Sequence, residues 1–199
     1  MDILHCDNNI VVCIKPVGVD SEHELPERLK EAAGGEIFTV HRLDKNVGGV
    51  MVYARTKASA AALSRSVQSG DMVKEYIAQV RGVPPENGDW EDLLFKDSTR
   101  NKVFVVKRER SGVKKARLEY TRLTGDSVSP ALVRVRLHTG RSHQIRVQFS
   151  SRGYPLLGDG KYGARDDIAA PRLFSCRLSF CLFGKKHVYE AIPEWAEIE

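Results

Sequence analysis

The sequence has four cysteines, Cys6, Cys13, Cys176 and Cys181, and none is spaced as a C-x-x-C pair. Without that spacing, and without a secretory leader, they read as thiols of a reducing compartment and not as a disulfide frame. No apolar run approaches the length of a membrane span. The N-terminal "MDILHCDNNIVVCIKP" has neither a charged lead nor a small-residue cleavage site. The expectation is a soluble, cytoplasmic protein without a membrane partner. Metal signatures are missing as well: there is no H-E-x-x-H, and His41 lies far along the chain from His138 and His143. The H-x-E and P-C-x-x-C motifs of zinc nucleobase deaminases are absent too. "LLGDGKYG" (Leu156–Gly163) lacks the spacing of a phosphate loop, and no G-x-G-x-x-G opens a helix. That loop reads better as a structural turn. No metal and no cofactor is expected.

Acid is scarce in the middle of the chain. From Arg100 to Arg122 there are nine Lys/Arg against two acidic residues, and Arg134 to Arg152 adds five arginines with no acid. The formal net charge is +5. A concentrated positive stretch is the footprint of a phosphate-backbone partner, although charge runs are more often solvated faces. Charge alone leaves the two readings about even.

What is present is mostly strand. "ILHC" and "IVVCI" form a hairpin about an Asp-Asn-Asn turn, and "SEHELPERLKEAAGG" a short helix stopped by Gly34–Gly35. "EIFTVHRL" and "GVMVYA" are two β-like runs with Asp44 between them. "TKASAAALSRSVQSG" reads as a helix with Thr56 as N-cap, Ala61, Leu63 and Val67 inward, and Gly70 as stop. "VKEYIAQVRG" is a strand, and "VPPENGDW" a tight turn. "ARLEYTRLT" and "ALVRVRLHT" alternate, setting Val133, Val135 and Leu137 on one face and Arg134, Arg136 and His138 on the other. "SHQIRVQFSSRG" suits a helix, while "RLFSCRLSFCLF" and "KKHVYEAI" are two last strands. This is an α+β pattern with a largely antiparallel mixed sheet and flanking helices, in one domain over 1–199.

Two stretches carry candidate chemistry. In "TVHRLDKNVGGVMVYA" Asp44 follows His41–Arg42 and leads into a glycine pair. A carboxylate there could cap a turn, balance Arg42, or attack something. In "HTGRSHQIRVQF" Arg141, His143, Gln144 and Arg146 follow Gly140 within six positions. A salt-bridged surface helix and a functional cluster explain that density equally well. Tyr76, taken alone, is an ordinary half-buried strand tyrosine.

Together these segments resemble the RluA-type pseudouridine synthases. "IVVCIKPVGV" is similar to that family's opening strand and K-P-x-G turn, and "HRLDKNVGGVMVYA" to its H-R-L-D-x-x-T-S-G motif. "KEYIAQVRG" matches the K-x-Y-x-A-x-V-x-G strand, and "TGRSHQIRVQFSSRGYPLLGDGKYG" the T-G-R-T-H-Q-I-R-V-H block that runs on to G-D-x-x-Y-G. The catalytic opening begins at residue 3, so an upstream S4-like RNA-binding module is not expected. Three departures stand out: Val47, Gly48 and Gly49 in place of T-S-G, Gln148 in place of a histidine, and "FSCRL" (Phe174–Leu178) where L-H-A-x-x-L is common.

The resemblance implies isomerisation of a uridine in ribosomal or transfer RNA by a monomer, in a cleft that takes an extruded nucleotide. Asp44 would be nucleophile on the sugar or base for an elimination, Arg146 its ion-pair partner, and Tyr76 a stacking residue that helps remove the C5 proton. Ile145 would form an apolar wall, and Arg42 would enter the RNA stack. His41 would orient the turn. Arg134, Arg136, Arg141 and His143 would hold RNA. The alternatives are a catalytically silent RNA-binding protein of the same fold and, with less support, a sugar hydrolase pairing Asp44 with Asp159.

Overall fold

Eleven strands and three α-helices are present among residues 1–196, the part of the chain that the computed structural model describes. In chain order they are β1 (Asp2–Cys6), β2 (Ile10–Lys15), α1 (Glu24–Ala33), β3 (Phe38–Thr39), β4 (Gly48–Ala54), α2 (Lys57–Ser69) and β5 (Val73–Val80). There follow β6 (Asn87–Asp97), β7 (Lys102–Val106), β8 (Val113–Arg122), β9 (Ala131–Leu137), α3 (Gln144–Ser151), β10 (Leu173–Leu182) and β11 (Lys185–Glu190). Strands outweigh helices, β4–β10 is parallel, and the ladders β1–β2, β2–β4, β3–β4, β6–β7, β6–β8, β8–β9 and β10–β11 are antiparallel, which bears out the α+β reading. The chain divides into two units, Met1–Glu75 with the chain from Phe174 onward, and Tyr76–Leu173.

In the first unit Asp7 makes the turn between β1 and β2, its carboxylate accepting the Asn9 and Ile10 amides at 2.7 and 2.8 Å. β4 is buried at all seven positions, as its unbroken apolar run requires. One edge of β4 pairs antiparallel with β2, from Ile10↔Ala54 to Lys15↔Gly49. Its other edge is divided between two partners. β10 runs parallel at Gly48 and Gly49, and β3 runs antiparallel at Tyr53 and Ala54. Between them side chains complete the ladder: His41 Nε2 accepts the Val52 amide at 3.1 Å, and Ser175 Oγ donates to the Val50 carbonyl at 3.1 Å. The strand expected over "EIFTVHRL" therefore shrinks to two residues, because an imidazole does the work of further backbone pairing. Gly49 has φ 126°, and any Cβ there would overlap the Ser175 backbone, so only glycine fits.

Thr56 caps α2, with Ser59 returning the bond in a capping box, and Gly70 ends the helix in the left-handed region. Leu63 is buried as expected and Val67 packs partly against the core, but Ala61 is exposed; Ser59 and Ser66 hold the inward positions instead.

In the second unit β9, β8, β6 and β7 are successive neighbours. The expected turn "VPPENGDW" ends earlier than its composition suggests, since Asn87–Trp90 already pair with β8. Val133 and Val135 are buried while Arg134 and Arg136 are exposed, so the alternation read from the sequence holds. Helix α3 lies on the apolar face. Phe149 packs edge-on against Trp90 and Tyr120 at centroid distances of 4.7 and 5.1 Å, and Gln148 Nε2 donates to Asp92 at 2.7 Å. Gln148, one of the departures from the family pattern, thus ties α3 to β6.

Candidate active site

Asp44 lies in the loop between β3 and β4, and each residue around it is pinned separately. Leu43 has both backbone groups met by one hydroxyl: Ser21 Oγ donates to its carbonyl at 2.9 Å and accepts its amide at 3.2 Å. Ser21 is in turn fixed by the buried Tyr53, whose hydroxyl donates to the Ser21 carbonyl at 2.7 Å. On the other side, the Lys45 carbonyl accepts from Lys15 Nζ at 3.0 Å and from the Gly18 amide at 2.9 Å. Val47 N–H returns to the Asp44 carbonyl at 2.9 Å and closes a turn. Asp44 itself is half-buried. Its backbone has little freedom left, which is the prerequisite for aiming a carboxylate.

Lys15 is fully buried, and its ammonium spends all three protons on the carbonyls of Pro16, Val19 and Lys45 at 2.9, 2.8 and 3.0 Å. Burial lowers its pKa to about 8, while the carboxylates of Asp20 and Asp44 pull the other way. His41 is buried and neutral. Desolvation, helped by the positive charge of Lys74, lowers its pKa to about 3. Since Nε2 accepts the Val52 amide, Nδ1 carries the proton. Arg42 is exposed and reaches Glu22, Nη1 to Oε2, at 2.6 Å. The first unit thus brings His41, Arg42 and Asp44 together on one braced loop.

The second constellation is α3 and the turn before it. His143 stands at the helix N-cap with φ 52°, a left-handed conformation rare for a residue with a side chain. Its Nδ1 pairs with the Tyr162 hydroxyl at 2.9 Å, and that hydroxyl accepts the Val103 amide at 2.8 Å. Gln144 locks the turn: its Oε1 accepts from Thr139 Oγ1 and the Arg141 amide, and its Nε2 donates to the Arg117 carbonyl. Arg141 is exposed and donates Nε to the Lys115 carbonyl at 2.9 Å. Ile145 is buried.

Arg146 is buried as well, and it forms a two-pronged pair with Asp159, Nε to Oδ2 at 2.7 Å and Nη2 to Oδ1 at 2.8 Å. The Tyr162 ring lies 5.1 Å from its guanidinium carbon. Asp159 is only 1% exposed, so the glycine-rich loop that reads as a structural turn also carries a buried acid. Tyr76, buried on β5, is the first residue of this unit. Arg134 and Arg136 stand apart. They project from the face of β9 opposite Val133 and Val135, away from α3, and the nearby Arg117 and His138 are already paired with acids (Arg117 with Asp89 and Glu119, His138 with Glu119).

Sequence reasoning gave no task to Lys15 and Ser21, and named Asp159 only as a partner of Asp44 in the hydrolase alternative. The K-P-x-G turn flagged Lys15 as a motif member but gave it no task. Ser21 carries no signal of spacing, and the G-D-x-x-Y-G motif that holds Asp159 does not say which cation it meets. Among the described residues no group of three or more His, Cys, Asp or Glu could hold a metal ion.

The first unit thus holds a carboxylate on a braced loop, and the second holds a buried arginine and an exposed basic sheet face. The family model described as RNA pseudouridylate synthase matches residues 9–151, and the chain belongs to that family. The dual-specificity RNA pseudouridine synthase RluA of Salmonella typhi is 35% identical over 183 residues, covering 86% of this chain and 81% of that protein. This likeness bears out the RluA-type resemblance of the motifs. Ribosomal large subunit pseudouridine synthase D of Vibrio cholerae is 36% identical over 129 residues, 65% of this chain. Among solved structures, human RNA pseudouridylate synthase domain containing 4 superposes with a TM-score of 0.81 at 26% identity, covering 98% of this chain and 89% of that one. The chain spans 39% of the Vibrio protein and 43% of an uncharacterized RNA pseudouridine synthase from Aquifex aeolicus, which is 37% identical over 138 residues.

Proposed function

We propose that this chain is an RNA pseudouridine synthase that acts in the cytoplasm as a monomer on a uridine of ribosomal or transfer RNA. Family membership supports the reaction class. The names of the Vibrio and Salmonella relatives, one given for the large ribosomal subunit and the other for dual specificity, support the substrate class. In the reaction the N1–C1′ bond breaks, the uracil turns while held, and C5 joins C1′. C5 then loses its proton and N1 gains one. Atoms and electrons balance within the nucleotide, so no external reactant is consumed.

Asp44 is the carboxylate that acts on the extruded nucleoside, at the sugar or as the base for an elimination. Arg146 supplies its counter-charge. A guanidinium can hold carboxylates along more than one edge, and Asp159 takes the Nε–Nη2 edge. Tyr76 stacks on the uracil and assists the C5 proton, Ile145 is the apolar wall, and Arg42 fills the stack that the base leaves. Arg141 and His143 hold the RNA backbone near α3, and Arg134 and Arg136, on the other face of β9, hold a separate segment of the RNA.

The observation that carries the reading is the bracing of Leu43 and Lys45 on either side of Asp44 by Ser21 and Lys15. Pseudouridine mapping of total RNA from cells lacking the gene identifies the target. Restoring Asp44→Asn is expected to leave that position unmodified while RNA affinity of the purified variant stays within about twofold of wild type. Full modification by Asp44→Asn would refute the role. An intact RNA complex with no missing modification would favour the silent RNA-binding alternative.

A further inference from the structure

Two lysines of the first unit are withdrawn from solvent, and their surroundings differ. Lys15 is sealed in, with every ammonium proton given to a carbonyl. Lys74, on β5, is half-buried, and its pKa is lowered by desolvation. Yet it makes no hydrogen bond and no ion pair with any described residue. A partly desolvated ammonium without a partner lowers stability, and a methionine of similar length would remove that penalty. Lys15 is explained by the fold. Lys74 is not.

Its placement gives the reason. Strand alternation sends Lys74 and Tyr76 to the same face of β5, while Glu75 points the other way and meets Arg177 at 3.2 Å. The positive charge of Lys74 is felt at His41, three residues before Asp44 on the braced loop. An unmet cation that shares a face with Tyr76 and lies near the Asp44 loop is disposed to receive an anion from outside the protein. Resting on the RNA reading above, we propose that Lys74 binds a phosphodiester of the RNA strand that carries the target nucleotide.

The test compares Lys74→Met, Lys74→Arg and, as a control on an exposed position of α1, Lys30→Met. The probe is a fluorescein-labelled single-stranded oligouridylate, titrated by anisotropy over a range of salt concentrations. Lys74→Met is expected to weaken binding about tenfold at low salt and to reduce the slope of log K against log salt by about 0.7 to 1, the loss of one phosphate contact. Lys74→Arg keeps most of both, and Lys30→Met changes neither. The melting temperature of Lys74→Met should equal or exceed that of wild type, because an unpaired charge has been removed. An unchanged slope for Lys74→Met overturns the proposal. So does an equal loss in Lys30→Met, or a fall in melting temperature that accounts for the weaker binding. Pseudouridine formation is scored separately with Asp44→Asn, so the enzyme reading can fail while the phosphate contact still stands or falls on the salt slope.

Discussion

At Asp159 a carboxylate sits at 1% exposure, where an isolated charge is strongly disfavoured, and both of its oxygens are met by the Arg146 guanidinium. Removing one member of such a pair leaves the other buried and uncompensated. Asp159→Asn preserves the shape but not the charge, and it should cost about 3 kcal/mol in urea-induced unfolding. Arg146→Met should show a coupling of about 1–3 kcal/mol with it in a double-mutant cycle. If Arg146 is the counter-charge of Asp44, pseudouridine formation by Asp159→Asn also falls at least about tenfold under conditions where the variant is folded. Near-additive stabilities would show that the pair is not the anchor of α3. The pair marks the limit of what could be read from the sequence at this scale. Asp44, Tyr76 and Arg146 were visible because each belongs to a motif. Their supports were less so: no period links Ser21 to Leu43, 22 residues on, and the motif around Asp159 does not name Arg146, 13 residues before it, as its partner.

Packing between neighbouring strands accounts for one departure from the family pattern. Gly48 and Phe174 are register partners in the parallel ladder of β4 and β10. A Cβ at Gly48 would lie 3.2 Å from the Lys15 carbonyl oxygen and 3.5 Å from the Phe174 ring. A serine in this position, as the pattern has it, would crowd the Lys15 carbonyl, which is backbone and cannot easily give way, while the Phe174 ring would stay in ordinary contact. Gly48→Ser is therefore expected to destabilise by about 1–3 kcal/mol. Phe174→Leu in the same chain should return little of that loss, measured by thermal or urea unfolding, since the tight neighbour is the Lys15 backbone. A Gly48→Ser variant as stable as wild type would break the argument. The elements themselves were largely legible in advance. The Thr56 cap, the Gly34 and Gly70 stops and the alternation through Arg134 and Arg136 depend on local rules. The failure at β3 has a tertiary cause. His41 and Ser175 satisfy the edge of β4 with side chains, which frees the chain to leave the sheet and carry Asp44.

For the molecule as a whole, a count of charge along the sequence overstates the basic surface. Arg117 is paired with Glu119 of its own strand and with Asp89 across the sheet, and Arg122 with Asp126 from the next turn. Whole-molecule stability should in turn respond to acid through one buried imidazole. The folded-state pKa of His41, about 3, lies below its ordinary value of 6.5, because burial and Lys74 both oppose a second proton. The unfolded chain takes up that proton as pH falls through about 6.5, and the folded chain does not until about pH 3. Stability attributable to His41 is thus fully present above 6.5 and drains away as pH drops toward 3. By about pH 5 the loss should reach about 2 kcal/mol. Protonation would also turn the Nε2 acceptor into a donor facing the Val52 amide, loosening the brace that holds the Asp44 loop against β4. His41→Gln offers a carbonyl oxygen to the same amide and cannot titrate. Whatever its absolute stability, the gap between wild type and His41→Gln should shift in favour of the variant by about 2 kcal/mol from about pH 7.5 to about pH 5, read from urea midpoints and slopes. A gap independent of pH would mean that the imidazole is open to water in solution. The ladder of β4 would then need another way to satisfy Val52, and the loop that presents Asp44 would not be braced by His41.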